Sequence, residues 1–140
     1  MKIQYKKVVR PLDLADFAPE YAGAVIQVWV NPTREKLQER ETIRQGLNTA
    51  LGKLKESDPD NVEKLKQITG TIESINDKYY AWLADNWSQA ENEETHWTQA
   101  EVKELAENLI EDDPALWEFI QKRSFNMLQE YREHYKKKLN

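Results

Sequence analysis

Two segments near the amino terminus carry the pattern of β-strands. Residues Ile3 to Val9 and Ala24 to Val30 are rich in β-branched and aromatic side chains, which favour a pleated backbone. Proline and glycine interrupt the stretch between them, where a short helical turn is predicted over Leu12 to Phe17. The pattern therefore predicts an antiparallel β-hairpin within residues 1–31.

A helical hairpin is predicted over residues 33–87. Thr33 can cap a first helix that runs to about Glu56, because apolar residues then recur at steps of three and four. The turn Ser57-Asp58-Pro59-Asp60 ends it, and a Ser or Asp of this turn can cap the second helix. So short a connection favours antiparallel packing at a shallow angle. The heptad-like seam of the second helix consists of Leu65, Ile68, Ile72, Ile75, Tyr79 and Trp82.

Two more helices are predicted as a C-terminal pair over residues 98–138. They follow a polar, acidic segment, Ser88 to Trp97, which we interpret as a mobile loop. Thr98-Gln99-Ala100-Glu101 has the spacing of a capping box, and Asp112-Asp113-Pro114 ends one helix and starts the next. The whole chain, 1–140, is thus predicted to be a single domain. Its fold class is mainly α: a bundle of about four helices with a short N-terminal β-hairpin.

Composition restricts the partners and the compartment. With 25 acidic and 20 basic residues the formal net charge is -5, which disfavours nucleic acid and anionic membrane surfaces as partners. Cysteine is absent, which excludes disulfides and thiolate sites and indicates a reducing compartment. The sequence lacks a signal-peptide pattern and any apolar run long enough to span a membrane. These features predict a protein of the cytoplasm.

Groups that could support catalysis are sparse. The two histidines, His96 and His134, lie in different segments. Glu130 and His134 share a helix face at i, i+4, but two ligands without a third make a poor metal site. The four glycines form no phosphate-binding loop, and no serine lies in a nucleophile elbow. We therefore expect no enzyme activity, no metal and no cofactor.

Aromatic residues concentrate in the second half and are the candidate partner-binding groups. Such rings build cores and also anchor interfaces. Because the rings near Tyr80 point to more than one side of a helix, some should stay exposed unless a protein partner or another copy covers them. An exposed edge of the β-hairpin could also pair with a second copy and give a homo-oligomer. The predicted partner-binding residues are Trp82, Trp87, Trp97, Trp117, Tyr131 and Tyr135.

The order of four segments carries a resemblance to a known family. The segments are Val30-Asn31-Pro32-Thr33, Tyr80-Ala81-Trp82-Leu83, Asp113-Pro114-Ala115-Leu116-Trp117, and Tyr131-Arg132 ahead of a lysine-rich end. In composition and order across most of its length the chain resembles small proteins of the tail modules of long-tailed bacteriophages, notably tail assembly chaperones. No binding motif of that family maps onto particular residues here.

The resemblance implies a largely helical, non-enzymatic factor that is absent from the mature virion. Such a factor binds the tape measure protein and helps tail tube subunits polymerise around it. The charge leaves open a second class, a small acidic inhibitor from a mobile element that binds a host defence protein, as an anti-CRISPR protein or nucleic-acid mimic does. An ordinary enzyme subunit or regulator is the third alternative. Binding that weakens steeply with salt would favour the inhibitor over the chaperone.

Overall fold

The computed structural model describes residues 4–139, with side chains over 4–134. Within this part of the chain the strands are β1 (Val9–Asp13), β2 (Val25–Trp29) and β3 (Trp87–Ser88). The helices are α1 (Arg34–Glu56), α2 (Val62–Asn86), α3 (Gln99–Asp112) and α4 (Pro114–Leu139). The protein is mainly α with a minor β component, so the prediction of about four helices and an N-terminal antiparallel hairpin is confirmed.

The sheet has the order β1-β2-β3, and both pairs are antiparallel. The predicted first strand was placed too early, since β1 begins at Val9, while Ile3 lies outside the described residues. The register explains the shift: Leu12 pairs with Ile26, and both side chains are buried in the core. Long-range burial of this pair outweighs the local strand propensity of the residues before Val9.

β1 is an edge strand whose outer side offers few hydrogen-bonding groups. The Val30 N–H donates to the Val8 carbonyl at 2.9 Å, so in this register the even-numbered residues of β1 direct their backbone groups toward β2. Pro11 directs its backbone outward, where its lack of an N–H breaks no pairing with β2. The Arg10 side chain donates to the Val9 carbonyl at 3.1 Å. Self-association through this edge stays a prediction.

α1 and α2 form the predicted helical hairpin. Thr33 caps α1, which ends at Glu56 as expected. The prediction for the start of α2 was wrong, because Asn61 caps it rather than Ser57 or an Asp of the turn. The Asp58 carboxylate instead accepts a hydrogen bond at 2.9 Å from the backbone N–H two residues further on. That contact folds the turn and displaces the helix start to Val62.

The main core lies where the C-terminal half of α2 meets the sheet, α3 and α4. Its most deeply buried side chains are Leu12, Ile26, Val28, Val30, Leu83, Trp87, Val102, Ala106, Leu116 and Ile120. The distal part of the hairpin, residues 42–75, is here called the arm. Ala50 and Ile68 are buried within the arm but are not part of the main core. The arm is therefore stabilised largely by contacts between its own two helices.

The C-terminal helix pair begins with the predicted capping box. Thr98 Oγ1 accepts from the Glu101 N–H at 3.2 Å, and the Glu101 carboxylate accepts from the Thr98 N–H at 3.0 Å. The segment before the capping box, Ser88 to Trp97, is mostly loop, as predicted. Its first residue, Ser88, is the second residue of β3 and also forms a β-bridge with His96. Across the described residues, none of the helices combines the length and apolar character that crossing a membrane requires.

Candidate functional site

Two of the predicted partner-binding rings form the centre of the core. Trp87 is fully buried, and its ring centroid lies 5.8 Å from that of Trp97 and 6.4 Å from that of Trp117, both in edge-to-face geometry. Trp117 is only 7% exposed. Because such contacts stabilise a core directly, these two rings join β3 to α4 and offer no surface to a partner in the folded chain.

Trp82 belongs to a buried junction between α1 and α2. Its indole N–H donates to the Lys36 carbonyl at 2.7 Å, while the Lys36 ammonium donates to the Trp82 carbonyl at 3.1 Å and lies 4.7 Å from the ring centroid. The same ammonium forms an ion pair with Asp85 at 2.8 Å. Sequence reasoning missed this lysine, which is 8% exposed, because its partners lie 46 and 49 positions away.

The electrostatics of the junction follow from these contacts. Burial raises the pKa of Asp85, but the hydrogen bond and charge of Lys36, with smaller contributions from His96 and Lys7, outweigh it, so the pKa lies below its ordinary value. The Asp85 side chain is 61% exposed. The junction thus presents a carboxylate that stays ionised at neutral pH, and its geometry is that of a structural clamp between two helices.

Two of the remaining predicted rings, Trp97 and Tyr131, lie nearer the surface. Trp97 is half-buried and donates from its indole N–H to the Ser88 carbonyl at 3.2 Å. Tyr131 is half-buried at a concave surface of about 410 Å³ between α4 and the sheet. The side chain of Tyr135 lies outside the described residues. The concave surface beside Tyr131 is also lined by Arg10, Pro11, Val30, Arg123, Met127, Glu130 and His134.

A groove follows the seam between α1 and α2 on one side of the hairpin. It consists of a proximal part of about 560 Å³ and a distal part of about 650 Å³, and Thr42 lines both. The α2 residues that line it extend from Lys64 to Trp82, which is about 27 Å at a helical rise of 1.5 Å per residue. We call this feature the hairpin groove. Its length matches a helix of about five turns.

The distal part of the hairpin groove has a low, apolar floor and a polar rim. The floor is formed by Gly46, Ala50, Ile68 and Ile75, and the rim by threonine, glutamine and lysine side chains. At Gly46 an added Cβ would lie 3.6 Å from Ile75 Cδ1, so the glycine keeps this wall of the groove low. The charged residues of the lining are Lys53 and Lys64. The distal groove is therefore locally basic on a chain of net negative charge.

One side of α3 is strongly acidic. Glu101, Glu104, Glu107 and Glu111 follow one another at steps of three and four, and all are exposed. The one basic residue of this helix, Lys103, is engaged with Asp77 of α2 at 3.2 Å. This row of carboxylates gives the surface of α3 a negative potential.

The outer face of the sheet carries an aromatic pair that sequence reasoning missed. Trp29 donates from its indole N–H to the Tyr5 hydroxyl at 2.8 Å, and the two rings meet edge to face. The Lys7 ammonium lies 4.9 Å from the Trp29 ring centroid, and Tyr5 is 56% exposed. The alternation of side chains along β2 could have predicted this position for Trp29. Ile26 and Val28 face the core, so Gln27 and Trp29 face outward.

Among residues 4–134, no three histidine, aspartate or glutamate side chains are grouped so that they could hold a metal ion. Comparisons of the chain with protein-family models, with curated proteins and with solved structures gave no significant match.

Proposed function

We propose that this chain is a non-enzymatic binding factor that holds a helical segment of a partner protein in the hairpin groove. We further propose that it is a tail assembly chaperone of a long-tailed bacteriophage, acting in the host cytoplasm on the tape measure protein or on tail tube subunits. The observation that carries the proposal is the groove itself, whose two parts meet at Thr42 and together extend over about 27 Å.

A helix fits this groove better than an extended strand. Two antiparallel helices that pack at a shallow angle leave a trough into which a third helix can place one row of side chains. The small side chains at Gly46 and Ala50 allow the backbone of the incoming helix to approach closely. The arm has a thin core of its own, so a third helix would complete a three-helix bundle and bury its apolar floor.

The charges of the groove define the partner further. Lys53 and Lys64 border its distal end. The charges of the proximal lining balance, since they belong to Glu35, Lys36, Glu39 and Lys78. A helix with acidic side chains facing the distal end would complement the groove. Long coiled proteins offer many such segments, which is compatible with the tape measure protein that the family resemblance implies. The bacteriophage assignment rests on that resemblance.

The experiment is retention of partners by the tagged chain from its own infected or producing cells, followed by mass spectrometry. Thr49→Arg places a long charged side chain at the groove, and Asn48→Arg places it one position away, outside the lining; both positions are exposed. We expect the wild type and Asn48→Arg to retain a long helical protein or a tail tube subunit, and Thr49→Arg to lose it. Equal retention by all three would exclude the groove as the binding site.

The acidic side of α3 favours a second function, an inhibitor that covers a nucleic-acid-binding surface of a host defence protein. Its row of four glutamates would replace phosphates on a basic surface. Here the retained protein should be a nuclease or other defence protein. Glu104→Lys with Glu107→Lys should abolish retention, and Glu63→Lys at the tip of the arm should not. The Thr49→Arg variant would then bind as the wild type does, which separates the two functions.

A further inference from the structure

Asn86, the last residue of α2, has an amide group that the protein leaves without a partner. The residue is 1% exposed, and among the described residues neither Nδ2 nor Oδ1 forms a hydrogen bond to the protein. A buried amide that lacks partners costs free energy, and such groups in native proteins are almost always satisfied. A buried polar side chain of this kind therefore indicates a ligand within its reach.

Asn86 lines a small cavity of about 10 Å³. Its volume lies at the lower limit of the roughly 10–15 Å³ that one water molecule needs, so nothing larger than a water molecule fits. The residues that line it are Arg40, Tyr79, Trp82, Leu83, Asn86, Gln121, Ser124, Phe125 and Leu128. They come from α1, α2 and α4, so the cavity lies where the root of the hairpin meets the C-terminal helix.

Other polar groups of the cavity still have hydrogen-bonding capacity that a water molecule can use. Ser124 Oγ donates to the Gln121 carbonyl at 3.0 Å, so its lone pairs remain available as acceptors. Gln121 is engaged at both ends of its amide, since its Oε1 accepts from the Tyr79 hydroxyl at 3.1 Å and its Nε2 donates to the Trp117 carbonyl at 3.3 Å, which leaves one donor and one lone pair. A buried water typically makes two to four hydrogen bonds, which Asn86 and Ser124 can supply together.

We propose that this cavity is a binding site for one structural water molecule, held between the Asn86 amide and the Ser124 hydroxyl. The water joins α2 to α4 and satisfies the amide that the protein leaves unpaired. It holds the C-terminal end of α2 against α4. This site is independent of the hairpin groove, whose lining includes neither Asn86 nor Ser124.

The test is NMR of the wild-type chain, measuring cross-relaxation between the water resonance and side-chain amide protons. In a rotating-frame spectrum a long-lived internal water should give the Asn86 amide a cross-peak of dipolar sign, whereas any cross-peak of the exposed Asn48 amide should have the opposite sign, that of chemical exchange with bulk water. A crystal structure at about 1.5 Å should show one ordered oxygen within about 2.7–3.2 Å of both side chains.

Asn86→Leu, which is close in volume and has no polar group, should abolish the ordered oxygen in its crystal structure. Asn48→Leu on the surface of α1 should leave the ordered oxygen in place. The proposal is overturned if the wild-type crystal shows the Asn86 amide hydrogen-bonded directly to protein atoms with no ordered oxygen in the cavity. It is also overturned if the Asn86 amide shows no cross-peak while its own resonances are sharp.

Discussion

Replacing Lys36 by methionine tests whether the junction between α1 and α2 stabilises the fold. Methionine keeps the length of the apolar stem but removes the ammonium that contacts Asp85 at 2.8 Å and the Trp82 carbonyl at 3.1 Å. A hydrogen bond to a charged group contributes about 1.5–3 kcal/mol, and a cation over an aromatic ring contributes about 0.5–2 kcal/mol. Relief of the desolvation of the ammonium offsets part of this sum.

The expected net loss for Lys36→Met is about 1–3 kcal/mol in the free energy of unfolding. This loss is smaller than the cost of leaving a buried charge unpaired, because the side chain of the remaining partner, Asp85, is 61% exposed and can be hydrated. The assay is urea unfolding followed by tryptophan fluorescence. Lys103→Met is the matched control, since its ion pair with Asp77 joins α2 to α3 with both side chains nearly half exposed, and its loss should cost at most about 1 kcal/mol.

The same variant makes a prediction about pH. The pKa of Asp85 is lowered in the folded chain, so its stabilising contribution is present above the unfolded value of about 3.9 and is lost as the pH falls through the folded pKa. The gap in stability between the wild type and Lys36→Met should therefore narrow between pH 7 and pH 3. The reasoning is refuted if Lys36→Met is as stable as the wild type at pH 7, or if Lys103→Met is destabilised as much.

Three further predictions concern separate parts of the fold. Thr98→Ala removes half of the capping box and should lower the free energy of unfolding by about 0.5–2 kcal/mol in urea; an unchanged midpoint would contradict this. Burial raises the pKa of Tyr79 to about 12, so stability should fall as the pH rises from the unfolded value of about 10 toward 12. Tyr79→Phe should remove a step near pH 12 from the tyrosinate absorbance titration. Pro11→Val adds an outward N–H to the edge strand and should increase self-association in sedimentation velocity; a strictly monomeric variant would show that the edge is blocked by other means.

Helix boundaries were predictable where the determining contacts are local. Thr33 and Thr98 each accept a hydrogen bond from a backbone N–H three residues ahead, a geometry that depends on a few adjacent residues. The start of α2 was mispredicted because the turn before it offers several caps in succession. Choosing between them requires the geometry of the turn, where the Asp58 carboxylate is engaged with the backbone.

The position of β1 and the role of the rings depend on contacts distant in sequence. The register of β1 is fixed by the burial of Leu12 against the rest of the core, which no local pattern reveals. The tryptophan spacing shows that rings lie on several sides of the chain, but not that β3 would bring Trp87 against Trp117. The burial of Lys36 could not be predicted either, since a lysine in the first turn of a helix is ordinarily solvated.

The location of the aromatic residues limits how a partner can bind. Trp82, Trp87 and Trp117 are all less than a tenth exposed and belong to the main core. The arm beyond them has no aromatic side chain between residues 42 and 75, and its groove has a floor of glycine, alanine and isoleucine. A partner helix would therefore gain affinity from close backbone approach and buried aliphatic surface rather than from aromatic anchors. Binding of that kind should depend only moderately on salt, through Lys53 and Lys64, whereas binding through the glutamates of α3 should weaken steeply.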